Sequence, residues 1–243
     1  MQHIGNMALL LILLLIFVPI LISYYQKLGL GKDIFFSSIR GFVQLLLLGV
    51  FVSYLFSFKN LFAVFGYILA MIVIASVNSS RRGIERRRSF LVVFISIFTT
   101  VSFFIGIWLL FSIVPLKAQY LIPIGGMFIG SAMVASAVVL ETMKKESGSL
   151  QENELKKNAA KVAMIPTIDS LKTVGLVQIP GTMTGMILAG GDPFESVKYQ
   201  IFIIFSLMVV SAISSILTCS LNYKWVIKRE QSTTARSKEG ILT

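Results

Sequence analysis

Histidine and cysteine are almost absent: 243 residues hold one of each, His3 and Cys219. One thiol leaves no disulfide framework, and so few ligands leave no zinc-type spacing. Charge is scarce as well. Asp, Glu, Lys and Arg make up 14% of the chain, against roughly 25% in an average soluble domain. There is no G-x-S-x-G elbow, no H-E-x-x-H pair and no Walker A loop. Gly29-Leu30-Gly31-Lys32-Asp33 is too short for a Walker A loop and lacks Ser or Thr after the Lys. Ala189-Gly190-Gly191-Asp192 brushes against the motif of intramembrane aspartyl proteases, but its first Gly is wrong and no partner Asp is placed in a span. A soluble globular enzyme, a disulfide-stapled domain and a disordered chain are thereby excluded, and no catalytic residue is expected.

Apolar residues fill the space: 56% of the chain, with 19 Phe and a mean hydropathy of +0.84. A soluble fold of this size has too little interior to hide them. A bilayer core takes about 20 apolar helical residues to cross. Seven stretches qualify: Met7–Tyr25, about Phe35–Phe56, Leu61–Val77, Phe90–Val114, Leu121–Leu140, roughly Thr173–Gly190, and Tyr199–Leu221. The fold class expected is an all-α, polytopic membrane protein of about seven helices, with six the main rival count because the fifth and sixth stretches are rich in Gly and Thr. Residues 1–229 form the membrane domain and 230–243 a mobile cytoplasmic tail. The first stretch outruns a signal-peptide core, has no basic residues before it, and ends in Tyr24 and Tyr25, which suit an interfacial belt. It reads as a permanent helix.

Orientation follows from the basic residues. Of 22 Lys and Arg, eighteen fall after spans one, three and five and in the tail; Lys59, Lys117 and Lys198 fall on the other side. Arg40 lies within a span. The positive-inside rule then predicts an outer amino terminus and a cytoplasmic carboxyl terminus. The net charge of +11 is a topology signal and a lipid-facing charge, not a nucleic-acid site.

Four features remain that can carry chemistry. Arg40 and Gln44 are four apart and share a helix face. They either face an interior path or snorkel from one turn inside the interface. Gly126 and Gly130, then Gly181 and Gly185, form two G-x-x-x-G pairs, the spacing that lets helix backbones approach. Met133, Met183 and Met186 beside them are either soft metal contacts or apolar filler. Asp169 and Lys172 are three apart at the start of the sixth span and can pair. Pro166 suits the first turn of a helix, and Pro180 inside that span is expected to kink it. A broken helix at membrane depth marks either a pathway or a hinge, or is merely a packing kink.

Pro166-Thr167-Ile168-Asp169-Ser170-Leu171-Lys172-Thr173-Val174-Gly175-Leu176-Val177 is followed by Ile179-Pro180-Gly181-Thr182-Met183-Thr184-Gly185 and Ile187-Leu188-Ala189-Gly190. This stretch closely resembles the permease family of bacterial iron-export ABC transporters (FetB-like), and plant aluminium-tolerance permeases are similar. Ile122 to Ala135 fits too, with Ser131 where the family more often has Asn. Lys32-Asp33-Ile34 and Arg40 to Leu45 match its second span. The resemblance covers about Tyr24 to Tyr223. It implies a permease homodimer in the bacterial cell membrane, served by a separate cytoplasmic ABC ATPase that binds the ATP. The cargo it implies is iron or a related metal, although plant relatives are linked to nucleotide-sugar movement. No cofactor is expected in this chain.

One departure stands out. The cytoplasmic stretch Glu141 to Ala163 looks abbreviated beside similar family members, and their Leu-Gly-Ala-Thr-like segment is missing. Leu155, Ala159, Val162 and Ala163 fall on one face of a short amphipathic helix, with Glu154, Lys157 and Lys161 opposite. That apolar face is expected either to dock in a groove on the ATPase or to cover the ends of spans five and six. The rival functional readings are an ATP-independent secondary carrier or channel, and a membrane scaffold. Intramembrane acid pairs or internal repeats would favour a carrier, and neither is evident.

Overall fold

The computed structural model describes residues 5–56, 60–147 and 151–239, apart from the side chains of Asn6 and of 223–239. His3, Lys59 and the last residues of the tail lie outside that description. The described residues hold nine helices: α1 (Asn6–Leu14), α2 (Phe17–Tyr25), α3 (Gly31–Phe56), α4 (Leu61–Ser80), α5 (Arg86–Leu110), α6 (Ala118–Glu146), α7 (Glu152–Thr173), α8 (Gly181–Leu188) and α9 (Pro193–Glu239). They fall into two compact units, Met1–Ser57 and Phe58–Thr243.

In the first unit α2 packs on α3. The expected first span is two helices because Pro19 has no N–H to give Leu15. The chain tightens there, with Ile16 N bonding Leu13 O at 3.2 Å and Val18 N bonding Leu15 O at 3.1 Å. The turn into α3 uses positive φ at Lys27 and Gly29. It is fixed by the buried Ser23 hydroxyl, which accepts from Leu30 N at 3.0 Å. No residue of α3 is buried.

The second unit is built around α6, which packs against α4, α5, α7 and α9. Side-chain bonds give the directions. Ser131 of α6 bonds Leu207 O and Ser136 bonds Ser214, so α6 and α9 run parallel. Ser96 of α5 meets Ser214 while Trp108 meets Ser206, so α5 runs against both. Small residues let these helices approach. A Cβ on Gly125 would sit 3.5 Å from Ile68, and one on Gly126 would sit 3.2 Å from Met71. Apolar packing is joined by a closed ring of four buried hydroxyls. Ser96, Ser214, Ser136 and Thr218 succeed one another at 3.2, 3.0 and 3.0 Å, and Thr218 returns to Ser96 at 3.1 Å. In lipid such interhelical bonds contribute about 0.6 kcal/mol each on average. At the other end Trp108 Nε1 donates to Ser206 Oγ at 3.0 Å, and its ring meets Phe128 and Tyr199 edge-on.

Six helices among the described residues are long and apolar enough to cross a membrane: Met7–Tyr25 counted as one, α3, α4, α5, α6 and Pro193–Asn222 of α9. The expected sixth span of seven, Thr173–Gly190, is not among them. α8 has eight residues, about 12 Å at 1.5 Å per residue, against a core of about 30 Å. Pro166 does not start that span either; it lies inside α7. At the carboxyl end α9 runs on as helix to Glu239, through most of the expected tail.

Candidate functional site

The motif that carries the resemblance folds as the second half of α7, a non-helical link over 174–180, and α8. α7 ends because Val174 is extended (ψ 133°) and Gly175 takes φ +83°, a conformation costly for any residue with a Cβ. Thr173 O then accepts from the amides of Leu176, Val177 and Gln178, and Gly175 N bonds Gln178 O at 2.9 Å. Pro180 sits in an extended conformation as the N-cap of α8, not inside a helix as expected. α8 stops at Gly190, with φ +93°. The Ala189-Gly190-Gly191-Asp192 run is thus a helix stop followed by a cap. Gly191 N bonds Met186 O, and the Asp192 carboxylate accepts from Glu195 N at 2.9 Å, satisfying an orphan amide of α9.

Contacts with α9 give this segment its depth. Cys219 lies beside Lys156 O at 3.7 Å, Thr167 Oγ1 bonds Ser211 Oγ at 3.3 Å, and Thr182 of α8 bonds Gln200. As the chain advances from 156 to 182 its partner on α9 retreats from 219 to 200. α7 and α8 therefore run in succession, antiparallel to α9, along most of the apolar stretch Pro193–Asn222. Thr167 is level with Ser211, near the middle of that stretch, and Asp169 and Lys172 follow it. The side chains pair at 2.9 Å and stay 59% and 68% exposed. Beyond them Leu176, Val177 and Ile179 are exposed too.

The other sequence candidates scatter. Arg40 and Gln44 lie on exposed positions of α3, in the first unit. Met133 takes part in the α4–α6 contact, where Asn78 Nδ2 approaches its sulfur at 3.6 Å. Met183 and Met186 are half-buried on α8, which packs against α9. Gly126 is a close-packing position, whereas a Cβ on Gly130, Gly181 or Gly185 would meet nothing within 4 Å. The apolar face of α7 is turned inward. Leu155, Ala159 and Ala163 are buried in one cluster with Val139, Met143 and Cys219, and Val162 is half-buried. The face packs on α6 and α9, the expected spans five and seven, rather than on spans five and six. Among the described residues no three His, Cys, Asp or Glu side chains gather as a metal site.

Sequence reading missed the hydroxyl ring and the Thr182–Gln200 and Thr167–Ser211 bonds. The signal was there: Ser211, Ser214, Ser215, Thr218 and Asn222 recur at three- and four-residue spacing on one face of an otherwise apolar helix. No solved structure matches the chain. The model of the Uncharacterised protein family (UPF0014) matches residues 6–156 and 151–227. The UPF0014 membrane protein YjkA of Bacillus subtilis is 34% identical over 89% of this chain and 93% of its own length. The Probable iron export permease protein FetB of Escherichia coli is also 34% identical, over 92% of each chain. The Protein ALUMINUM SENSITIVE 3 of Arabidopsis thaliana is 29% identical over 84% of this chain and 81% of its own. Matched along most of its length by that family model and by these relatives, this multi-pass membrane chain belongs to the UPF0014 family.

Proposed function

We propose that the chain is the membrane-spanning permease subunit of an ATP-driven exporter, acting as a homodimer with a separate cytoplasmic ATPase. The observation that carries this is the broken crossing of α7 and α8. Non-helical backbone and an exposed ion pair halfway along a membrane helix are tolerated where they line water or lie against protein. Residues 174–180 form a hydrogen-bonded turn that interrupts the continuous helical ladder between α7 and α8. They are the hinge of this reading, and Asp169 and Lys172 are its charged wall. ATP-driven closure of the ATPase pair would rock α8 against α7 and expose that wall to alternate sides.

Iron or a related metal is proposed as the cargo because the Escherichia coli relative is named as an iron export permease. A divalent cation would meet one carboxylate per chain on this wall, Asp169. That favours passage with much of its water retained over capture in a dehydrated cage.

The test is copurification and flux. The permease, expressed with its candidate ATPase, is purified and reconstituted with the ATPase outside, and Fe(II) entry into the vesicles is followed. The expected outcome is a stoichiometric complex whose metal flux requires ATP and both proteins. Flux without ATP or ATPase would replace this reading by a secondary carrier. ATPase binding with hydrolysis stimulated but no metal flux would overturn the cargo.

A further inference from the structure

Five arginines cluster in the α4–α5 turn and the first turn of α5, more positive charge than a turn requires. Arg81, Arg82, Arg86, Arg87 and Arg88 are accompanied by one carboxylate, Glu85, which pairs with Arg88 at 3.0 Å. Arg86, Arg87 and Arg88 occupy the first turn of α5, which itself holds no acidic residue; the N-cap Glu85 offsets Arg88. That is the end of a helix where the backbone dipole already favours anions. Among the described residues no ion pair is seen for Arg86 or Arg87. Their side chains border a largely apolar cleft of about 570 Å³, lined also by Ser80, Val77, Phe90 and Leu91. The turn is seated by Gly83, where a Cβ would lie 1.9 Å from the buried Ser89 hydroxyl.

Below this basic rim α5 carries a file of aromatic rings. Phe90 stacks on Phe94 at 5.9 Å and Phe94 on Phe98 at 5.9 Å, a file of rings one turn apart. Phe98 then lines a second cleft between α4 and α5, of about 470 Å³, with Phe65, Leu69 and Ile105. From Arg87 to Phe98 is eleven residues, about 16 Å at 1.5 Å per residue, comparable to most of a membrane acyl chain. Leu91 and Phe98 are exposed at a depth where the bilayer, not water, is the solvent.

We infer that this stretch of α5 binds one anionic phospholipid. The phosphate sits in the forks of Arg86 and Arg87 at the start of α5, and an acyl chain lies along Phe90, Phe94 and Phe98. Guanidinium forks match phosphate oxygens two at a time, which a lone ammonium does not. The apolar track below the charges is what favours a lipid over an acidic protein surface. This inference does not depend on the transport reading.

Native mass spectrometry of the full-length permease tests it, with phosphatidylglycerol as the probe. Phosphatidylcholine of the same acyl chains and inorganic phosphate are the comparison ligands. One phosphatidylglycerol per chain should be retained. Arg86→Ala with Arg87→Ala should weaken retention about tenfold, the scale of lost charge-assisted bonds. The Lys pair at the same positions should recover part of it. Arg81→Ala with Arg82→Ala removes the same charge outside the cleft and should change retention far less. Equal losses from the two double variants would mean a diffuse basic field and no site. Equal retention of phosphatidylcholine would leave only an apolar groove. Full competition by inorganic phosphate would remove the acyl track, and binding of the ATPase lost with Arg86 and Arg87 while lipid retention is unchanged would reassign the patch to a protein partner.

Discussion

The Asp169–Lys172 pair shows how one geometry carries different weight in water and in a membrane. Exposed to water, such a pair is worth about 0–1 kcal/mol. Beside the middle of an apolar helix, a charge left without its partner is far more costly. Asp169→Ala and Lys172→Ala should therefore each lower transport about tenfold, a barrier change of about 1.4 kcal/mol, while the protein still inserts in the membrane. Vesicle flux at equal protein amount measures this, and normal flux in both variants would make the pair an interfacial anchor. Ser214 acts by burial instead. It is fully buried, touches two hydroxyls of the ring and reaches Ala132 O at 3.3 Å. Ser214→Ala should lower stability by about 1 kcal/mol, and Ser214→Leu by about 1–3 kcal/mol through overpacking. Thermal unfolding in one detergent compares the two, and a Leu variant as stable as the parent would mean the ring is loosely packed.

At the scale of the element, α7 is the instructive case. Its residues from Glu152 to Thr173 are not apolar enough on average to look like a membrane helix, so the apolar reading began only at Thr173. The helix is nonetheless packed along α6 and α9, because Leu155, Ala159 and Ala163 give it a narrow stripe that fits between them. Pro166 does not break it, since the freed carbonyl of a single internal Pro can be tolerated where neighbours hold the helix. Leu155 is 3% exposed, so Leu155→Glu places a carboxylate in the cluster with Val139, Met143 and Cys219. The cost of an uncompensated buried charge is about 3 kcal/mol or more. The amount of permease in the membrane should fall, and immunoblotting of membrane fractions reads it. Undiminished permease with ATP hydrolysis uncoupled from transport would show instead that this face is free to dock a partner.

For the whole molecule the open question is sidedness. With α6 and α9 parallel and α5 and α7 opposed to them, the bundle has a consistent direction, and the basic residues predict which end is cytoplasmic. A reporter fused after Thr243 should be active inside the cell and one after Asn60 outside. A carboxyl-terminal reporter readable only from outside would reverse the orientation and, with it, the side on which an ATPase can bind.

Membrane class and the strong spans were legible in the sequence because bilayer thickness imposes a length of apolar helix that composition reveals directly. Five of the expected spans keep their apolar centres, as α3, α4, α5, α6 and α9; most are extended where polar residues continue the helix, whereas α5 starts four residues earlier than expected and ends at Leu110, four residues short of Val114. Met7–Tyr25 survives as a stretch but splits at the position where Pro19 removes a backbone donor. The chain break near Pro180 was legible too, since Pro and Gly act locally. What the sequence left undetermined was where the broken segment runs. Tertiary packing set it by pairing Lys156, Thr167 and Thr182 with Cys219, Ser211 and Gln200, two to three turns apart along α9, which moves Asp169 and Lys172 from the mouth of a span to its middle. The same packing turned Leu155 and Ala159 inward and closed four scattered hydroxyls into a ring. Local chemistry chooses helix or turn, but only contact with a second helix decides which face is buried and at what depth a charge comes to rest.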